Sequence, residues 1–185
     1  MLKFCSSCGH PLALRQLAGD TRARPQCTGC GTIHYENPKV LVWCFAHWQD
    51  RVLFCRRATE PAKGYWGPPA GFVELGEALE EAAVRETREE AGIALDPASL
   101  ILFKVVSLPH MSQIYVGFRA ALPAEPILAP GPEVLEARMW SEQDMPFHEL
   151  AYRQMVKDAP EDFFRALRTG QFVADSVTVR PPSGR

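Results

Sequence analysis

Three carboxylates, Glu86, Glu89 and Glu90, stand at i, i+3 and i+4 in a stretch running from Gly71 through Glu77 and Arg85 to Gly92. On a helix that spacing puts all three on one face. Like charges so placed repel by roughly 0.2–0.5 kcal/mol per pair. A hard divalent cation, Mg²⁺ or Mn²⁺, reverses the sign, because such ions take carboxylate oxygens together with substrate phosphates. The competing reading is a solvated helix laced with ion pairs, since Glu81–Arg85 and Arg85–Glu89 both fit i, i+4. A second set is Cys5, Cys8, Cys27 and Cys30, spaced C-x2-C-x18-C-x2-C, with Gly9 and Gly31 after each pair. This spacing suits a zinc ribbon. Four thiolates would close a tetrahedral Zn²⁺ site with no open position, which makes the metal structural. Two disulfides, a redox pair, or a ribbon that binds nucleic acid through Arg15, Arg22 and Arg24 are the alternatives.

The elements that must position these groups follow from the pattern. Between Glu77 and Ala91 there is no Gly or Pro, and good helix formers dominate. A helix is predicted there, stopped at Gly92, with Ala83, Val84, Thr87 and Ala91 as the stripe that lies on a sheet. The Gly/Pro-punctuated stretch 64–73 is a loop leading into it. Lys39–Trp48 and Arg51–Arg57 read as paired strands, and Cys44 and Cys55 within them as small hydrophobes. Arg56 and Arg57 end the second strand, either to meet phosphate or as a polar strand end. Further strands are predicted at Ser99–Leu108, Ser112–Leu122 and Glu133–Trp140, with a surface loop over 122–132. Helices are predicted at Phe147–Asp158 and Glu161–Thr169, split at Pro160. Strands around a central helix, with helix again late, give a mixed α/β (α+β) sandwich. The expected organisation is a zinc ribbon over 1–36, a larger domain over 37–175 and a flexible tail over 176–185.

The chain has 185 residues, enough for about one domain with a real core. Its net charge of −2 argues against a protein built mainly to grip nucleic acid or an anionic membrane. No run approaches the ~18 apolar residues of a membrane span. The cysteine motif begins at once, leaving no room for a signal peptide, so a cytoplasmic protein is expected.

The stretch 71–93 resembles the signature of the Nudix hydrolases, G-x5-E-x7-R-E-U-x-E-E-x-G-U, with Thr87 departing at the first apolar position. Chance agreement at Gly71, Glu77, Arg85, Glu86, Glu89, Glu90 and Gly92 is on the order of one in 10⁸. The resemblance implies an α/β/α Nudix sandwich preceded by the ribbon. It implies Mg²⁺ or Mn²⁺ on Glu86, Glu89, Glu90 and the Gly71 carbonyl, with Glu77 and Arg85 bracing them. The base stays open among Glu89, Glu90, Glu133 and Glu136; the last two also read as solvated strand ends.

A Ser-Gln-Pro-Trp-Pro-Phe-Pro marker of NADH pyrophosphatases is absent; Ser107-Leu-Pro109-His110-Met111-Ser112-Gln113 stands there. Pro109 lies where ADP-ribose pyrophosphatases carry a Pro. Shared stretches from about Phe4 to Tyr152 are similar to plant FAD/ADP-ribose pyrophosphatases and their bacterial relatives. They imply hydrolysis of FAD or ADP-ribose with release of AMP. NADH or a nucleoside triphosphate is the rival substrate, and a non-catalytic nucleotide-sensing adaptor the rival class. Arg57, Trp66, Pro109, His110, Tyr115 and Glu136 are the candidate substrate contacts; Tyr35, Trp66 and Tyr115 read equally as core. The partner expected is a small nucleotide, with no nucleic acid and no membrane, and by resemblance the assembly is a homodimer.

Overall fold

The computed structural model describes residues 2–153 and 158–180. The chain divides into two compact units, Met1–Pro38 and Lys39–Arg185, close to the expected boundary after residue 36. In the first unit β1 (Leu12–Gln16) and β2 (Ala23–Cys27) form an antiparallel hairpin, with Leu12 opposite Cys27 and Gln16 opposite Ala23. Its turn is tied by Arg24 Nε donating to Asp20 at 2.8 Å.

The second unit is a mixed eight-stranded sheet between two helices. In chain order come β3 (Lys39–Trp48), β4 (Arg51–Arg57), β5 (Trp66–Gly67), β6 (Ala70–Phe72), α1 (Leu79–Ala91), β7 (Ile101–Leu108), β8 (Gln113–Ala121), β9 (Val134–Trp140), α2 (Ala159–Thr169) and β10 (Asp175–Thr178). The sheet runs β10-β7-β8-β3-β4-β5, with β6 beside β3 and β9 beside β4. The β3–β8 and β10–β7 pairs are parallel; the rest are antiparallel.

Strand alternation divides β3 and β4 between two cores. Trp43, Phe45, Val52 and Phe54 point towards α2, where Phe163 and Phe164 meet them. Val42, Cys44, Ala46, Leu53 and Cys55 point towards α1 and its Ala82, Ala83 and Ala91. A sheet covered on both faces explains why these strands are apolar throughout. Small alanines let α1 lie close to the sheet. Thr87, the departure from the apolar pattern, is fully buried and donates its hydroxyl to the Ala83 carbonyl at 2.7 Å, so it carries no unsatisfied polar group. Burial pushes the Cys44 thiol up to about 12 and raises Cys55 further still, consistent with inert hydrophobes.

Several expectations are corrected. The helix begins at Leu79 rather than Glu77, because the Glu77 side chain turns back to accept from the Glu74 N–H at 3.0 Å. The loop before it contributes β5 and β6. Ser99 belongs to a short 3₁₀ turn, Pro97–Ser99, whose cap is the Asp96 carboxylate accepting from Ala98 N–H. No continuous helix spans 147–158: Phe147–Glu149 is one 3₁₀ turn, and Leu150 bridges to Trp66. Residues 154–157 of that expectation lie outside the described residues. Pro160 lies inside α2 rather than before it, in the first turn, where a missing N–H costs nothing. Of the flexible tail expected over 176–185, residues 176–178 belong instead to the strand Asp175–Thr178 paired with β7; residues 181–185 lie outside the described residues. The surface loop over 122–132 is tied down, with Ala129 N–H donating to Ala91 O at 2.9 Å and Gly131 N–H to Glu90 O at 3.3 Å.

Phe163 is fully buried and its ring meets Phe45, Phe103 and Phe172 within 4.7–5.7 Å. Phe163→Ala is expected to lower unfolding free energy by about 4 kcal/mol, read from urea midpoints at unchanged slope.

Candidate active site

The signature helix presents its carboxylates to a cleft of about 1120 Å³. One wall carries Gly71, Arg85, Glu86, Glu89 and Glu90, with Glu133 near them, and the floor is apolar, made by Trp43, Phe45, Phe54, Trp66 and Leu150. Arg85 organises the wall. Its Nε and Nη2 donate to the two Glu77 oxygens at 2.8 and 3.0 Å, and Nη1 donates to Glu86 at 2.6 Å and reaches Glu89 at 3.5 Å. Nη2 also donates to the Phe72 carbonyl at 3.0 Å, which ties the helix to β6. The Arg85 hydrogen bonds hold Glu77 below the usual carboxylate range, and Glu77 in turn raises the guanidinium.

Gly71 is where the backbone must come closest. A Cβ built there would stand 2.0 Å from the Glu86 Oε1, so only glycine lets the carboxylate lie against the loop. Glu90 is deeper. Burial pushes its carboxyl up to about 7, against one hydrogen bond from the Ala70 N–H at 3.2 Å, and Glu86 and Glu133 add repulsion. Burial raises Glu86 as well, with Arg85 only partly offsetting it. Glu89 keeps about half its side chain exposed. Hard oxygen donors crowded beside an Arg that is already spent on Glu77 suit a divalent cation. Glu86, Glu89, Glu90 and the Gly71 carbonyl are the groups that would hold it.

Of the candidate substrate contacts, Arg57, Trp66 and Tyr115 line this cleft. Trp66 is also core, 4% exposed and edge-on to Trp140. Tyr115 donates to Gln113 Oε1 at 3.2 Å. Pro109 and His110 sit in the exposed turn Pro109–Met111 and do not line it, although Met111 does. Glu136 is opposite Arg56 on β9 and also lies outside; Glu133, at the start of that strand, lies inside. Glu77 acts through Arg85 rather than facing the cavity. Tyr35 belongs to the first unit, under the Arg24 guanidinium. Gln113, Leu150 and Tyr152 also line the cleft and were not foreseen; no periodicity marks them.

In the first unit the four cysteine sulfurs lie within 4.8 Å of one another. Three of the separations are 3.4, 3.4 and 3.8 Å, near the ~3.8 Å edge of a tetrahedron with Zn–S of about 2.3 Å. Ser7, Gly29 and Cys30 backbone N–H groups donate to Cys5 and Cys27. Thr32 draws the Cys30 thiol down to about 6. Against a backbone hydrogen bond from His10, the Cys27 and Cys30 sulfurs push Cys8 up to about 12. Four thiolates together need a cation, and this donor set fits Zn²⁺.

The NUDIX domain family matches residues 37–165, and the Nudix N-terminal zinc-ribbon family matches residues 3–36. A NUDIX hydrolase from Nitrosomonas europaea is 42% identical with a TM-score of 0.85, covering 96% of this chain and 99% of that one. A NAD-capped RNA hydrolase NudC from Stutzerimonas stutzeri is 31% identical over 91% of this chain and 58% of its own length. The chain thus spans a little over half the length of that curated relative. A bifunctional NMN adenylyltransferase/ADP ribose pyrophosphatase from Francisella tularensis, complexed with AMP and Mn, shares the fold at 19% identity, TM-score 0.61, covering 74% and 43%.

Two expected outcomes follow from this geometry. Metal analysis of protein purified without chelator should give about one zinc per chain, and stripping it should unfold the Met1–Pro38 unit, seen as loss of its amide dispersion by NMR. Glu90 is raised from 4.5 to about 7, so without added Mg²⁺ or Mn²⁺ the native state holds a proton that the unfolded chain releases. That contribution is full below pH 4.5 and lost as pH rises through 7. Relative to wild type, Glu90→Gln should therefore gain roughly 5 °C in midpoint between pH 4.5 and 7.5, and added Mn²⁺ should close the gap.

Proposed function

The chain belongs to the Nudix hydrolase family, and on that footing we propose that it is a Mg²⁺- or Mn²⁺-dependent pyrophosphatase. Its substrate is a nucleoside diphosphate joined to a second group, FAD or ADP-ribose, with AMP as one product. One observation carries the reading. Glu60, Glu74, Glu86, Glu89, Glu90 and Glu133 line the same cleft as an apolar, aromatic floor, with Arg57 and Arg85 as the cations. A diphosphate would be repelled from so acidic a wall unless divalent ions came with it. Bound there, such ions neutralise charge building on the phosphoryl oxygens and lower the pKa of the attacking water.

The chain's own residues do the rest. Arg85 fixes Glu86 and Glu89 in place, and Glu77 fixes Arg85. The Gly71 loop brings its backbone against Glu86. Water attacks one phosphorus, the bridging P–O bond breaks, and the water's proton passes to a carboxylate. Of the bases considered from the sequence, Glu89, Glu90 and Glu133 line the cleft and Glu136 does not. The cleft exceeds the ~300–1,000 Å³ of drug-sized pockets, which favours a two-part ligand over a nucleoside triphosphate. Retention of the full carboxylate set supports an enzyme over a non-catalytic sensor. A homodimer, on the resemblance alone, and a cytoplasmic site of action, on the cysteine motif, are part of the same proposal. Among the described residues no helix is long and apolar enough to cross a membrane.

A second reading is hydrolysis of the diphosphate in NADH or an NAD-capped RNA end. The activity named for the NudC relative favours it. The missing Pro-rich marker, replaced here by the Pro109–Met111 turn, counts against it. A chromatographic panel of FAD, ADP-ribose, NADH, NAD-capped RNA and nucleoside triphosphates with Mg²⁺ and Mn²⁺ separates them. AMP release is expected to be fastest from FAD or ADP-ribose. Glu89→Gln or Glu90→Gln should cut turnover at least ~10²-fold with an unchanged circular dichroism spectrum; full activity in both would reject the assignment.

A further inference from the structure

The cleft is also lined by a clasp made from two distant segments. Pro61, in the loop between β4 and β5, offers its carbonyl to both sides. The Tyr152 hydroxyl donates to it at 2.9 Å and Arg57 Nε at 3.1 Å. The Arg57 guanidinium lies 5.4 Å from the centroid of the Tyr152 ring. All three residues line the cavity.

Two further observations set this pair apart from ordinary packing. Tyr152 holds φ at +54°, a region that side-chain-bearing residues rarely adopt at a cost of order 1–3 kcal/mol. The strain is imposed by its neighbours: Leu150 bridges to Trp66, and the Ala151 N–H donates to the Trp66 carbonyl at 2.7 Å. The backbone is thus pinned so that the ring turns to the cleft. The hydrogen bonds of Arg57 go to neutral oxygens, Pro61 O and Thr59 Oγ1. Among the described residues no carboxylate pairs with it within 4 Å, whereas Arg85 is spent on Glu77 and Glu86. Glu90 feels the Arg57 charge only at longer range than a contact pair, which leaves the guanidinium able to take a ligand anion.

We propose that Tyr152 is a specificity-determining platform, against which the planar base of the substrate's nucleotide half stacks, and that Arg57 beside it takes the phosphate of that half. The guanidinium covers one face of the ring, so the heterocycle lies on the other. The ligand class is a 5′-nucleotide, and the inference rests on the pyrophosphatase reading only for its link to turnover. A purely structural role would lie in the hydroxyl's tie to Pro61; a platform lies in the ring.

Calorimetric titration of the intact protein with AMP and, separately, ribose 5-phosphate in Mg²⁺ distinguishes the two. Tyr152→Ala and Arg57→Ala should each raise the Kd for AMP about 10-fold, and Tyr152→Ala should leave ribose 5-phosphate, which has no base to stack, unaffected. Tyr152→Phe, which keeps the ring and loses the tie, should stay within about 3-fold of wild type for AMP. In turnover of ADP-ribose, Tyr152→Ala should raise KM and leave kcat within about 3-fold. No change in AMP binding in Tyr152→Ala, an equal loss in Tyr152→Phe, an equal loss for ribose 5-phosphate, or no AMP binding by wild type would each overturn the proposal. Intact AMP binding in a protein that cleaves nothing in the panel would instead defeat the pyrophosphatase reading and leave this one standing.

Discussion

Carboxylates gathered on one helical turn repel one another, and the second unit is arranged to hold them together anyway. Arg85 supplies the counterforce by reaching two of them, Glu86 and Glu89, together with Glu77 and the Phe72 carbonyl. Its partners are mostly out of water, so the attraction is screened less than at an open surface. Yet one guanidinium cannot offset Glu86, Glu89, Glu90 and Glu133 together, and at Glu90 burial first, then repulsion from Glu86 and Glu133, raises the carboxyl. That shortfall gives the cleft its appetite for divalent cations.

The scaffold keeps this charged turn from moving. Alanines on the inner face of α1 let it press on the sheet, and the other face of the same strands is filled by aromatic rings around Phe163. Gly92 ends the helix with φ at +74°, its N–H bonded to the Arg88 carbonyl at 2.9 Å. The returning loop then caps the last carbonyls from Ala129 and Gly131, which also delivers Glu133 to the cleft rim. The charged face is held from both ends and from beneath.

Much of this was legible in the residue pattern, and the parts that were not share a physical cause. The signature helix, the cysteine quartet and the apolar strands β3, β4 and β8 depend on local spacing, which a sequence displays directly. The strand β10 was missed because Asp175-Ser-Val-Thr178 has no alternation worth noting; its place comes from pairing with β7 and from buried Lys104, which bonds Asp162 at 2.5 Å and reaches Asp175 at 3.7 Å. The stretch around Leu150 looked helical from its composition, yet its bridge to Trp66, far away in the chain, overrides that preference there. Glu136 and His110 were plausible by residue type and lie outside the cleft. Tyr152 was invisible for the converse reason, since its role depends on Pro61, 91 positions earlier.

The ends of the sheet carry one more consequence. A long, flat outer strand offers unpaired backbone groups that can recruit foreign chains. Here the β7 margin is sheathed by the four-residue β10, which bears Asp175, and the opposite margin finishes in the two-residue β5. The longest edge among the described residues is the seven-residue β9, which pairs only with β4, and Glu136 and Arg138 place charge along it, a deterrent to a foreign strand. The fold therefore guards the borders of an apolar sheet in two ways, by brevity at β5 and β10 and by charge along β9.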